Sequence, residues 1–179
     1  MRAYYANLNR QIVVVDYDPN WPSLYEQEKD RIVATLGDAL VRIEHIGSTS
    51  VPGLAAKPII DIAVGIANFE ESKAYVPMIE GLGYTYEPEF EADLPGRRFF
   101  WRGHPSLHTH HLHMAEPGSQ EWIKPILFRD YLREHSEAAR QYQLLKRELA
   151  VRCGSDMEAY VKGKTEFVNA ILSKASSTM

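Results

Sequence analysis

Cysteine is nearly absent: Cys153 stands alone, which excludes an internal disulfide framework and any multi-cysteine zinc site. Long apolar runs are missing as well. None approaches the roughly 18 residues that a bilayer-spanning helix needs, and the first residues lack the continuous apolar stretch of a signal peptide, so the expected setting is the cytoplasm, without membrane contact. Positive charge is not in excess. With 20 Lys and Arg against 24 Asp and Glu, the net charge is −4, which disfavours bulk nucleic acid as a partner. Repeats and low-complexity segments are also lacking. The 179 residues, 45% of them hydrophobic, suffice for one complete core. We expect a single domain over 1–179 with its core at about 11–174, and the ends, Met1 to about Arg10 and Ala175 to Met179, to be dispensable.

The periodicities predict an α/β fold. Gln11 to Val15 reads as a short strand before the turn residues Asp16 to Asn20. Ser23 with Glu26 fits a capping box for a helix to about Leu36, with Leu24, Ile32, Leu36 and Leu40 as its apolar stripe. Val41 to Ile46 reads as a strand and Gly47 to Pro58 as a loop. Ile59 to Ile66 has the continuous apolar character of a central strand. A helix is expected from Phe69 to about Leu82, kinked or started late by Pro77. Tyr84 to Phe90, Arg97 to Arg102 and His108 to Ala115 read as three further strands. From Gln120 onward helical spacing takes over, with a break near His135-Ser136 and a capping box at Ser155 and Glu158 that opens a last helix. A mixed sheet with packed helices and a C-terminal helical layer follows.

Gly47-Ser48-Thr49-Ser50 places hydroxyls and backbone donors in a loop after a strand, which suits phosphate contact; the alternative is an ordinary loop whose hydroxyls cap backbone groups. Lys57 could neutralise a phosphate or sit in solvent. Asp61 interrupts the apolar strand, and a charge there needs a cation, a metal or backbone donors. A salt bridge and a metal role compete equally. Five of the seven histidines fall between His104 and His113. Strand alternation puts His111 and His113 on one face and His108 and His110 on the other. Two imidazoles at i and i+2 can share a metal, and they favour a transition metal over magnesium. We therefore expect a composite site of Asp61, His111 and His113 holding a divalent cation, with His45 either lining it or packed in the core. Glu87, Glu89 and Glu91 alternate on a strand and read as a solvated edge. Arg97, Arg98 and Arg102 could meet phosphate oxygens, as could Arg129 and Lys164 from the helical layer. Adjacent Arg129 and Asp130 are expected to face different directions. Cys153 reads as a packed residue.

Val14 to Trp21, His45 to Gly53, Lys57 to Asp61, His111 to His113, Phe128 to Leu132 and Tyr160 to Lys164 together resemble the GrpB family, a small relative of the nucleotidyltransferases, and the resemblance runs from about Val14 to about Leu172. It implies a nucleotidyltransferase-like fold that binds a nucleotide or another phosphorylated small molecule. Ser48 would hold terminal phosphates, Asp61 would place a divalent metal (magnesium or a transition metal), Arg129 and Lys164 belong to the matching segments, and Arg98 and Lys146 fall in further short matches within the same resemblance. The superfamily pattern carries two carboxylates one residue apart. Here Asp61 is followed by Ile62 and Ala63, so the second is missing, and the strand of His111 and His113 is the expected substitute. Nucleotidyl transfer, a non-catalytic nucleotide-binding module and a metal-dependent hydrolase are the functions this pattern allows.

Overall fold

Pro22, which has no N–H to lose, sits in the first turn of helix α1 (Trp21–Leu36). Asp18 Oδ1 accepts from the backbone N–H and the side-chain amide of Asn20, both at 2.9 Å, just before it. The helix therefore begins before the expected capping box. Ser23 lies inside it, accepting from Gln27 at 3.3 Å, and Leu24 is exposed while Trp21, Tyr25, Glu28, Ile32 and Leu36 form the buried stripe. The computed structural model describes residues 11–177; the dispensable end expected at Met1 to Arg10 lies outside them.

Five strands follow: β1 (Leu40–Ile46), β2 (Ile60–Ile66), β3 (Tyr84–Tyr86), β4 (Arg98–His104) and β5 (Leu107–Ala115). They form one sheet in the order β1-β2-β5-β4-β3. Only β2 and β5 run parallel; the other pairs are antiparallel, so the sheet is mixed, as its sequence predicts. Side-chain alternation divides its two faces. Ile60, Ile62, Val64 and Ile66 of β2, Phe100 of β4 and Leu112 and Met114 of β5 join α1 and Ile79 of the short helix α2 (Val76–Glu80) in the main core. Asp61, Ala63 and Gly65 point to the opposite face, where Trp122 packs on Ile46 and Ala63.

That second face is covered by helices α3 (Gln120–Glu134), α4 (Ser136–Cys153), α5 (Met157–Gly163) and α6 (Thr165–Ser177). Val51 and Leu54 of the β1–β2 loop pack against Leu132 and Tyr142. Among the described residues no helix is long and apolar enough to cross a membrane.

Several expected boundaries move for identifiable reasons. Of Gln11 to Val15 only Val15 pairs, in a single bridge to Ala56. The apolar character of that run serves packing: Ile12 is buried with Leu149 and Met157. Pro77 delays the second helix, so Glu70–Tyr75 form a 3-10 turn and α2 starts at Val76. Pro88 ends β3 early and opens a 3-10 turn at Pro88–Ala92, so Glu87, Glu89 and Glu91 do not alternate along a strand. The cap of α5 is Asp156, which accepts from the Ala159 N–H at 2.9 Å, and the last helix is interrupted at Lys164.

Arg129 fastens α3 to the sheet. Its guanidinium donates to Glu44 at 2.8 Å, to the His45 carbonyl at 2.9 Å and to both oxygens of Asp130. The side chain of Asp130 folds back along the helix, so the two neighbours meet instead of diverging. Burial pushes the Glu44 carboxyl up, but Arg129 and Arg42 outweigh it and hold it below its ordinary value. We expect Arg129→Met to lower stability by about 2–3 kcal/mol in urea unfolding, less than for a fully buried pair because Glu44 and Asp130 keep contact with solvent. A change under about 0.5 kcal/mol would refute this anchoring role.

Candidate functional site

Parallel pairing of β2 with β5 puts Asp61 in register with His111 and Ala63 in register with His113. All four side chains share the face beneath the helical layer, and the small Ala63 leaves room for the imidazole beside it. Asp61 Oδ1 lies 3.3 Å from His111 Nδ1 and 3.6 Å from His113 Nε2. Each of the three offers a ligand atom, and these atoms all lie within 4.8 Å of one another.

His108 joins the cluster. Arg102 pairs with His110 but Gly103 with His108, so Thr109 is an extra residue, a bulge that reverses the alternation below it. His108 thereby leaves the face of His110 and reaches His111, Nδ1 to Nε2 at 3.0 Å, while its ring stacks on Trp101 at 4.3 Å. The bulge depends on Gly103, whose φ is +121° and where a Cβ would stand 2.5 Å from the Leu107 carbonyl oxygen.

Burial raises the Asp61 carboxyl, yet the hydrogen bonds from His111 and His113 prevail and hold it well below the usual carboxylate range. Burial, assisted by Arg97 and opposed by Asp61, pushes His113 down to about 4. At neutral pH the site thus holds a carboxylate and a neutral His113. The Nδ1 of His113 is buried without a hydrogen-bond partner, so Nε2 is the nitrogen it offers.

These residues line a cavity of about 340 Å³ together with Gly47, Ser48, Thr49, Lys57, Arg97, Lys146, Tyr160 and Lys164. Its four cations come from four separate segments. Lys57 and Lys164 lie 5.7 and 4.5 Å from the Tyr160 ring centre, and Arg97 precedes β4. Lys146 projects from α4, only 2% exposed. Burial, reinforced by neighbouring cations, pushes Lys146 and Lys164 down to about 7 each.

Within the Gly47–Ser50 turn the roles diverge. Thr49 Oγ1 donates to the Ile59 carbonyl at 3.2 Å and meets His45 Nε2 at 3.0 Å. Ser50 Oγ donates to the Gly47 carbonyl, and the Ser50 carbonyl accepts from Arg133. Ser48 Oγ accepts from Lys146 Nζ at 2.9 Å at the cavity wall. His45 stacks on Tyr25 at 4.6 Å on the far side of the sheet, so it is a core residue.

Three expected anion contacts lie elsewhere, and Arg102 is one of them, paired with Glu28 of α1 away from the cavity. Arg98 shares the face of Phe100, 3% exposed, donating to Ser72 at 2.5 Å and paired with Glu91, whereas its neighbour Arg97 lines the cavity. Arg129 is the anchor described above. Sequence reasoning gave no role to His108; it left Arg97 among three arginines and Lys146 among segment residues. For Lys146 a signal exists: Tyr142, Lys146, Leu149 and Ala150 are the buried positions of α4, so the lysine falls on an apolar stripe.

Gly47 closes the site from below. Its φ is +70°, and a Cβ there would stand 2.3 Å from Asp61 Oδ2. Gly47→Ala is expected to displace the carboxylate and lower stability in urea unfolding by about 1–3 kcal/mol while circular dichroism stays near wild type; an unchanged unfolding midpoint would refute the close packing.

The GrpB protein family model matches residues 11–174. A crystal structure titled conserved protein GrpB, from Enterococcus faecalis, superposes with a TM-score of 0.84 at 36% identity, covering 93% of this chain and 98% of that one. The UPF0157 protein YqkA of Bacillus subtilis is 36% identical over 159 residues, 89% of this chain and 46% of the relative, so the chain spans about half the length of that relative. A protein named dephospho-CoA kinase from Mycolicibacterium paratuberculosis is 27% identical over 84% of this chain and 42% of its own length. The chain belongs to the GrpB family.

Proposed function

We propose that this GrpB protein binds a phosphorylated small molecule, such as a nucleotide, together with a divalent transition metal, and acts on the phosphoryl group. The observation that carries the reading is the convergence of one carboxylate and two imidazoles in a cavity otherwise lined by Lys57, Arg97, Lys146 and Lys164. The donor set fits a metal. For bonds of about 2.0–2.1 Å, tetrahedral ligands stand roughly 3.3–3.4 Å apart, close to the 3.3 and 3.6 Å that separate Asp61 from the two imidazoles. His108 supplies the outer partner that orients a ligating histidine.

Asp61, His111 and His113 would hold the ion, and a bound ion would polarise a phosphoryl oxygen. The rest is work for the chain's own residues. Lys57, Lys164 and Arg97 bind the anionic oxygens and neutralise charge, the apolar wall of Phe99, Phe128 and Val161 excludes water, and the fixed Gly47 turn sets the depth of entry. Similarity to a relative named dephospho-CoA kinase supports a phosphorylated ligand. Nucleotidyl transfer is the finer form of this proposal, and imidazoles in place of the missing second carboxylate favour a transition metal over magnesium.

Calorimetry with Zn²⁺ or Mn²⁺ tests the centre. The double substitution of His111 and His113 to Gln is expected to abolish binding that the wild type shows; metal binding indifferent to both histidines removes the assignment. Pyrophosphate and ATP test the cationic wall, where Lys164→Met is expected to weaken affinity about 10- to 100-fold. Anion binding at pH 8 should also draw in roughly one proton, because Lys164 is largely neutral above about 7 in the free protein and an anion restores its charge. The measure is the dependence of binding enthalpy on buffer ionisation enthalpy, and no dependence would refute it. For folding the sign is opposite. The depressed Lys164 loses its proton in the folded state first, so its contribution to stability rises with pH from about 7 toward the ordinary lysine value and falls on acidification.

A further inference from the structure

Lys146 has no role as a simple surface cation. Its ammonium nitrogen is buried, bonded to Ser48 Oγ at 2.9 Å and to the Ala55 carbonyl, and lies 4.7 Å from the Tyr142 ring centre. None of the ion pairs among the described residues joins it to a carboxylate. Ser48, by contrast, is half-exposed at the cavity wall, follows a positive-φ glycine at the end of a strand, and also meets the Tyr142 hydroxyl. A hydroxyl facing a cavity with a buried, uncompensated amine behind it is the arrangement of an activated nucleophile.

We propose that Ser48 and Lys146 form a nucleophile–base pair, in which Ser48 Oγ attacks a phosphoryl centre in the cavity and Lys146 Nζ takes its proton. The new bond is Oγ–P and the bond that breaks is that from phosphorus to its leaving oxygen. The proton passes from Ser48 to Lys146 and then to that oxygen, leaving a seryl phosphoester that water or an acceptor hydroxyl resolves. No oxidant or reductant is needed. The Ala55 carbonyl and Tyr142 ring hold the transient ammonium in place, and burial, aided by neighbouring cations, sets Lys146 to about 7, so much of it is unprotonated at neutral pH. The natural electrophile rests on the phosphorylated-ligand reading above; the pair itself does not.

Diisopropyl fluorophosphate on the intact chain, without metal or phosphate ligand, separates the two. Attack releases fluoride and leaves a diisopropylphosphoryl group that peptide mass spectrometry locates. We expect stoichiometric modification of Ser48, absent in Ser48→Ala, with a rate that climbs as pH passes through about 7 and levels off above it. Lys146→Arg keeps the charge but removes the base and should slow labelling about 100-fold or more. Should that variant fail to fold, the wild-type pH profile decides. Absence of label on Ser48, label at another residue only, a rate unchanged by Lys146→Arg, or a flat pH profile would each overturn the pair. Labelling with no metal or anion binding would keep the pair and sink the reading of the preceding subsection.

Discussion

Asp61 carries a charge in a strand whose other members are apolar, and the cost of that burial organises the whole site. A carboxylate placed there unpaired would be expensive. The register of β2 with β5 supplies the remedy by setting His111 directly alongside, and the absence of bulk at Ala63 admits His113. Gly47 then packs against the carboxylate where no other residue fits. Four positions on three elements are thus fixed by one ionised group, and the outer histidine, His108, is brought in by a backbone bulge that a longer side chain at Gly103 would forbid.

The second constraint is electrostatic and opposes the first. Four cationic side chains share the cavity with one carboxylate; Lys57 lowers the proton affinity of both Lys146 and Lys164, and Lys164 lowers that of Lys146. Burial does the larger part for Lys146 and Lys164, and mutual repulsion adds to it. A cavity of this kind is least comfortable when empty. An anion would relieve the repulsion and offset part of the desolvation of the lysines, so on the proposed function the same residues that lower the stability of the free fold would favour a negatively charged ligand. This is how a chain of net negative charge presents a concentrated positive surface in one place.

How much of this could be read from the chain follows from where each signal lies. The apolar strands and the helical layer were legible because burial on a sheet or along a helix leaves a period in the sequence, and the β2 run with its interrupting aspartate was the plainest case. The pairing of Asp61 with two histidines was legible too, because alternation on a strand is a local rule. What was lost depended on parity or on long-range packing. Arg97 and Arg98 differ by one residue and therefore by one face of the sheet, so a strand end misplaced by a single position exchanges the cavity residue for the one that pairs with Glu91. The bulge at Thr109 reversed His108 without any change in composition to mark it. Pro88 did announce that Glu87, Glu89 and Glu91 could not continue a strand. Lys146 was visible as a lysine on an apolar helical stripe, but which backbone groups would satisfy it is a property of the folded loop.

The division of labour within Gly47–Ser50 shows why a run of hydroxyls overstates a phosphate site. Thr49 and Ser50 turn inward and spend their hydrogen bonds on His45, the Ile59 carbonyl and the Gly47 carbonyl. Arg133 clamps the Ser50 carbonyl from α3, and Gln143 accepts the Ala55 N–H from α4. These bonds immobilise the turn between the sheet and the helical layer, so Ser48 stands at one fixed height above Asp61, and a group held in place before a ligand arrives loses little freedom when it binds. Two of the three hydroxyls therefore act by position, holding the third at the cavity wall. A substitution at Thr49 consequently belongs with Arg129 among changes that disturb the frame, and one at Ser48 with Lys146 among changes that alter what the frame presents.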